Sequence, residues 1–264
     1  MKTRFILVAS GKGGVGKTTA SLNIACALAQ FGRDVVVVDA NMSTPHIGIM
    51  LGSPLLENTL NKALRGSRSV RDCAYVHPSG IRIVPSSIAL GEYAPEHTKQ
   101  LRSVLAELAG TAEFVLIDAS AGLGPEFRDA VRASDEILVV TSPDLPAVSD
   151  ALKLIAGAGE QGMPILGVVV NRVGLSETLT LDNIRDLISE PIIGWVPEDR
   201  AVRSSLLIKQ PVVFSHPDTA AAVGFKKVAA TLLGQVYQPE VRTMHKPGMI
   251  DKIIEGINRI GAKK

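Results

Sequence analysis

The stretch that decides the fold is Phe5-Ile6-Leu7-Val8-Ala9-Ser10-Gly11-Lys12-Gly13-Gly14-Val15-Gly16-Lys17-Thr18-Thr19. Five apolar residues, the length of a buried strand, run straight into G-x-x-x-x-G-K-[ST], and a helical pattern follows from Thr18 to Phe31. This order of strand, glycine-rich loop and helix is the phosphate loop. Its glycines (Gly11, Gly13, Gly14 and Gly16) let backbone amides, including those of Val15 and Thr19, turn inward around phosphate oxygens. The Lys17 ammonium neutralises outer phosphates, the Thr18 hydroxyl ligates Mg2+, and the helix points its positive end at the anion. The loop therefore predicts a nucleotide phosphate chain with Mg2+ as its ligands.

Further runs rich in Val and Ile recur at Val35 to Val38, Ile81 to Val84, Phe114 to Ile117, Ile137 to Val140, Ile165 to Val170 and Ile192 to Val196. Helical patterns separate most of them, at Thr98 to Leu108, Ala147 to Ala158 and Leu181 to Ile188. Continuous apolar strands alternating with helices predict an α/β fold, a mostly parallel sheet with helices on both faces. At 264 residues, 46% apolar and 20% charged, the chain suits one large core. Residues 1–237 read as one domain whose last helix runs from about Thr219 to Tyr237. Residues 238–248 (QPEVRTMHKPG) read as a linker, and residues 249–264 as a separate C-terminal segment.

Cys26 and Cys73 form no CxxC pair, and Cys26 sits among apolar residues at helical spacing, a core position. Cys73 alone has the option of bridging a dimer. A reducing cytoplasm fits. The apolar run after Lys2 is too short for a leader, and no stretch reaches the roughly 18 apolar residues of a spanning helix. Any membrane contact is then peripheral.

With Lys12 inside the KGGVGKTT run, the sequence resembles the MinD/ParA family of deviant Walker A P-loop ATPases, a SIMIBI-like class that also holds the nitrogenase iron protein and arsenite-pump ATPases. The resemblance is nearest to MinD and covers nearly the whole chain. It implies that Lys12 reaches a nucleotide in a second subunit, so that two copies dimerise around ATP. It places Asp39 in the first switch and Asp118 as the Walker B aspartate, which holds Mg2+ through a water. Asp118-Ala119-Ser120-Ala121-Gly122 is similar to the D-x-P-A-G second switch, with Ser120 in place of proline, and there the Gly122 amide faces the γ-phosphate. Asn171-Arg172 and Pro197-Glu198-Asp199 resemble the adenine-contacting segments, although an Asn after a strand is by itself a common turn residue.

One position departs from the family pattern. Where MinD and ParA carry a second aspartate that orients the attacking water, this sequence has Asn41 in Asp39-Ala40-Asn41. An amide hydrogen-bonds a water but takes no proton from it. Phosphoryl transfer depends mostly on positioning, so slow hydrolysis is expected, with Asp39 as a partial substitute.

Met249 to Ile260 reads as an amphipathic helix. At 100° per residue, Met249, Ile250, Ile253, Ile254, Ile257 and Ile260 fall within an arc of roughly 140°. From Gln238 onward the formal charge is +3, which leaves the rest near −1. A basic segment beside an apolar stripe suits anionic lipid, as the comparable terminal helix of MinD does; docking on its own body or on a partner is the alternative. The expectation is a cytoplasmic protein that attaches reversibly to the inner face of the cell membrane and positions a protein partner. A ParA-like partition ATPase would need a basic DNA-binding patch that the near-neutral body disfavours. A metallocentre-maturation ATPase would need a cysteine pair.

Overall fold

The computed structural model describes residues 2–92, 95–174 and 178–239. Within them, eight strands form one sheet: β1 (Arg4–Ala9), β2 (Val35–Ala40), β3 (Tyr75–Val76), β4 (Arg82–Val84), β5 (Phe114–Ala119), β6 (Glu136–Thr141), β7 (Ile165–Val173) and β8 (Ile192–Pro197). The order across the sheet is β3-β4-β2-β5-β1-β6-β7-β8, parallel throughout except at the β3–β4 edge. The chain thus leaves β1 in two directions, and the C-terminal ends on either side of it frame a crevice, the usual ligand position in such sheets.

The helices are α1 (Lys17–Gln30), α2 (Ile47–Met50), α3 (Leu60–Leu64), α4 (Leu101–Ala106), α5 (Pro125–Arg132), α6 (Leu145–Glu160), α7 (Leu181–Leu187), α8 (Arg200–Leu207), α9 (Val212–Ser215) and α10 (Ala220–Leu232). Successive strand residues face opposite sides. Ile6, Val8, Val35, Val37, Leu116 and Leu138 pack with α1, α9 and α10 in one layer. Leu7, Ala9, Val36, Val38, Val115 and Val139 pack with α3 to α7 in the other. Both cysteines are buried: Cys26 is a core residue as expected, and Cys73, with its Sγ 3.3 Å from the Thr59 carbonyl, is not placed to bridge two copies.

Two predicted helices are shorter in the structure. The Thr98 to Leu108 pattern is a 3-10 turn over Pro95–Gln100 followed by α4. The last body helix stops at Leu232, because Gly234 takes the left-handed conformation (φ 68°) that ends helices. Tyr237, beyond the helix, nevertheless stays attached, its ring tilted at 45° to that of Phe31 just past α1 with centroids 5.7 Å apart. Most of the predicted linker and the whole Met249–Ile260 helix lie outside the described residues.

Candidate functional site

The loop between β1 and α1 lines a cavity of about 480 Å3 together with the segments after β2 and β5. Its glycines differ in purpose. Gly14 and Gly16 have φ of 82° and 91°, so side chains are strained there. A Cβ on Gly11 would sit 2.2 Å from the Asp150 carbonyl oxygen, and one on Gly16 would sit 2.3 Å from Asn171 Nδ2. These two positions need glycine because protein packs against them. Gly13 and Gly14 instead face open space. That space adjoins Lys17, Thr18 and Thr19, and α1 begins there with no side-chain cap and no acidic residue in its first turn. Free amides, a lysine and a hydroxyl around an open cradle fit a phosphate chain.

The buried centre of the site is Asp118, at the end of β5. Its Oδ1 accepts from Lys17 Nζ at 2.8 Å and from Ser21 Oγ at 2.8 Å, and its Oδ2 accepts from Thr18 Oγ1 at 2.6 Å. The carboxylate and the Thr18 hydroxyl expected to share a cation are therefore in contact, a hard oxygen set that fits Mg2+. Ser21, one turn beyond Lys17, belongs to no motif; a polar residue on an otherwise apolar helix face is its only signal in the sequence.

Asp39 is paired with Asp118 across β2 and β5, and its side chain is bonded to the loop that follows β2. It is fully buried and is not among the residues that line the cavity. Its Oδ2 accepts from the His46 and Ile47 amides, each at 3.0 Å, and its Oδ1 from the Asn41 amide at 3.3 Å. Burial, then the Asp118 charge, push its carboxyl up to about 7, against the lowering effects of the Ile47 amide and Lys17. In this arrangement Asp39 clamps the loop after β2. Asn41 does line the cavity, but its amide is turned into its own loop, donating to the Thr44 carbonyl at 2.7 Å.

Three further residues have bonds within the protein. The Gly122 amide donates to the Ser10 carbonyl at 2.9 Å, and Ser120 and Ala121 line the cavity in its place. The Asp199 carboxylate caps α8 through the Ala201 amide at 2.9 Å and also accepts from the Ala221 amide at 3.1 Å, so its side chain is committed to two helices. Asn171 is not a simple turn residue: it is buried and its Nδ2 donates to the Val15 carbonyl at 2.8 Å. Asn171, Arg172, Pro197 and Asp199 do meet, around a smaller cavity of about 110 Å3 that also touches Gly16 and Thr19. Glu198, Val202, Arg203, Leu206 and Phe225 complete it; the last four come from α8 and α10, which carry no spacing signal for a base pocket.

Lys12 stands apart. It does not line the cavity that its own loop encloses, and its Nζ lies 2.9 Å from Asp144 Oδ1 at the start of α6. No cluster of three metal-ligating His, Cys, Asp or Glu side chains occurs among the described residues, and no described helix is long and apolar enough to cross a membrane.

The sequence profile of the CobQ/CobB/MinD/ParA nucleotide binding domain matches residues 6–212. An uncharacterized ATP-binding protein of Methanocaldococcus jannaschii is 36% identical over 253 residues, 96% of either chain. Among solved structures, the septum site-determining protein MinD of Pyrococcus horikoshii, complexed with Mg-ADP, matches with a TM-score of 0.82 and 31% identity, covering 87% of this chain and 96% of that one. The cell division ATPase MinD of Pyrococcus furiosus gives 0.83 and 30% identity, covering 88% and 98%.

Proposed function

The chain belongs to the CobQ/CobB/MinD/ParA nucleotide-binding family as an ATPase related to cell division MinD, and on that premise we propose that it is a slow switch that dimerises around ATP. In this reading the amides from Gly13 to Thr19 and the Lys17 ammonium hold the phosphates, and Thr18 and Asp118 share Mg2+, which neutralises phosphate charge when bound. Binding requires Lys17 and Thr18 to exchange the Asp118 carboxylate for those ligands. The base sits between Asn171, Arg172 and the Pro197–Asp199 turn. With Asn171 Nδ2 committed to the loop, its Oδ1 is the atom that accepts from the adenine amino group.

The observation that carries the dimer is the position of Lys12. A second lysine in a phosphate loop that turns away from its own cradle is arranged to serve a phosphate outside it. The paired state would place two C-terminal segments side by side, so that residues 249–264 hold the protein on anionic lipid only in the ATP form, where it recruits a protein partner. Light scattering tests the switch: ATP with Mg2+ doubles the mass of the wild type, while Lys12→Ala keeps nucleotide and stays monomeric. An unchanged wild-type mass would overturn it.

A further inference from the structure

The loop after β2 holds a histidine in a defined relation to Asn41. The clamp by Asp39 on the His46 and Ile47 amides fixes its backbone. Within it, the Asn41 amide has two partners that set its orientation. The Thr44 carbonyl, which can only accept, lies 2.7 Å from Nδ2, and the Thr44 hydroxyl donates to Oδ1 at 3.0 Å. The same Nδ2 lies 3.4 Å from His46 Nδ1. An amide nitrogen only donates, so Nδ1 is the acceptor and the proton of the neutral ring is on Nε2. His46 is exposed and lines the same cavity as Gly13, Lys17 and Thr18. With Nδ1 turned to Asn41, the ring atom left to that cavity is an N–H donor.

We infer that Asn41 sets the tautomer of His46 so that its Nε2–H donates to the terminal phosphate of a bound nucleoside triphosphate, making His46 a determinant of triphosphate over diphosphate binding. The inference rests on the nucleotide reading above. It gives the asparagine a purpose that a carboxylate cannot fill. An aspartate at position 41 would accept from Nδ1–H, and the ring would then present a lone pair to the phosphate oxygens and repel them.

The test has two arms. In the first, protein labelled with 15N in its histidine rings is examined by long-range 1H–15N correlation at about pH 8.5, where imidazole is neutral. The wild type shows His46 protonated on Nε2, and Asn41→Asp moves the proton to Nδ1. In the second, affinities for ADP and for a non-hydrolysable ATP analogue are measured with Mg2+. His46→Ala weakens the analogue about tenfold and leaves ADP unchanged. His46→Gln, whose amide nitrogen stands in for Nε2, restores the analogue, and His46→Asn does not. Wild-type protein that binds both nucleotides but carries the proton on Nδ1, or a His46→Ala variant that binds the analogue as the wild type does, overturns this inference alone. Wild-type protein that binds neither nucleotide overturns the site reading and this inference with it.

Discussion

Lys12 Nζ and Asp144 Oδ1 lie 2.9 Å apart, tying the phosphate loop to the residue that caps the first turn of α6. The carboxylate is shared: Oδ1 also accepts from the Ala147 amide at 3.0 Å and Oδ2 from the Ser142 hydroxyl at 2.6 Å. Burial raises the Asp144 carboxyl, but these bonds and the Lys12 charge outweigh it and hold the group below its ordinary value. In the proposed dimer Lys12 must leave this partner. In that proposal the bridge acts as a latch on the monomer.

Asp144→Asn keeps the helix cap, since asparagine caps as well as aspartate, and removes the charge that holds Lys12. A part-exposed pair of this kind is worth at most about 1 kcal/mol, so the ATP concentration for half-dimerisation falls by up to about fivefold. Light scattering across an ATP titration checks this; a higher requirement would mean that Asp144 supports the dimer instead.

Asn41→Asp restores the acceptor that the family places near the attacking water, while turning the ring of His46 the wrong way for phosphate. Turnover rises at least about tenfold, and the KM for ATP rises with it. Steady-state phosphate release separates the two effects. Unchanged kcat would show that the asparagine is not what limits hydrolysis.

The Asp39 carboxyl makes folding stability depend on pH. Its folded value, about 7, lies above the ordinary carboxyl range, so the native state binds the proton more tightly than the unfolded chain. The stabilisation is complete below about pH 4 and is lost as pH rises towards 7, by at most about 1.4 kcal/mol per unit. Urea denaturation in EDTA without nucleotide measures the slope. Asp39→Asn should flatten it, and an equal slope in the variant would assign it to another group.

The C-terminal segment should bind anionic vesicles weakly as a single copy. Gly256 in its middle costs about 1 kcal/mol of helix propensity relative to alanine. Pairing by ATP adds avidity without new contacts. Ile254→Glu, a charge in the apolar arc, should release the protein while leaving ATP binding intact. Sedimentation of the full chain and of a version ending at Tyr237, with ADP and with ATP, decides the matter: equal behaviour removes the tail from the mechanism.

The seven strands read from the sequence are all present: the central ones, buried on both faces, are written as unbroken apolar runs, and the part-exposed edge strand β8 is apolar enough to read the same way. β3 escaped because Tyr75 and Val76 are too short to show a period, and α5 because PEFRDAVR mixes charged and apolar residues over barely two turns. In the site, the loop and Asp118 were legible, being local motifs at a strand end. What was not legible joins distant parts. Lys12 and Asp144 are 132 positions apart, and an aspartate after Ser-Pro reads only as a helix cap. The Asp39 clamp uses backbone amides, which leave no mark in side-chain spacing, and a lone histidine in a loop announces nothing until Asn41 is seen beside it.

The position of β1 in the sheet also bears on how the chain is born. Both of its neighbours, β5 and β6, begin beyond residue 113, so a nascent chain that has emerged only as far as β4 carries its first strand without either edge partner. Pairing across such separations is slow to nucleate. The phosphate loop hangs from the end of that strand, and Asp118 arrives with β5. A ribosome must therefore translate through Asp118 before the site can close, and until then the apolar Phe5–Ala9 segment is exposed to whatever chaperones meet it.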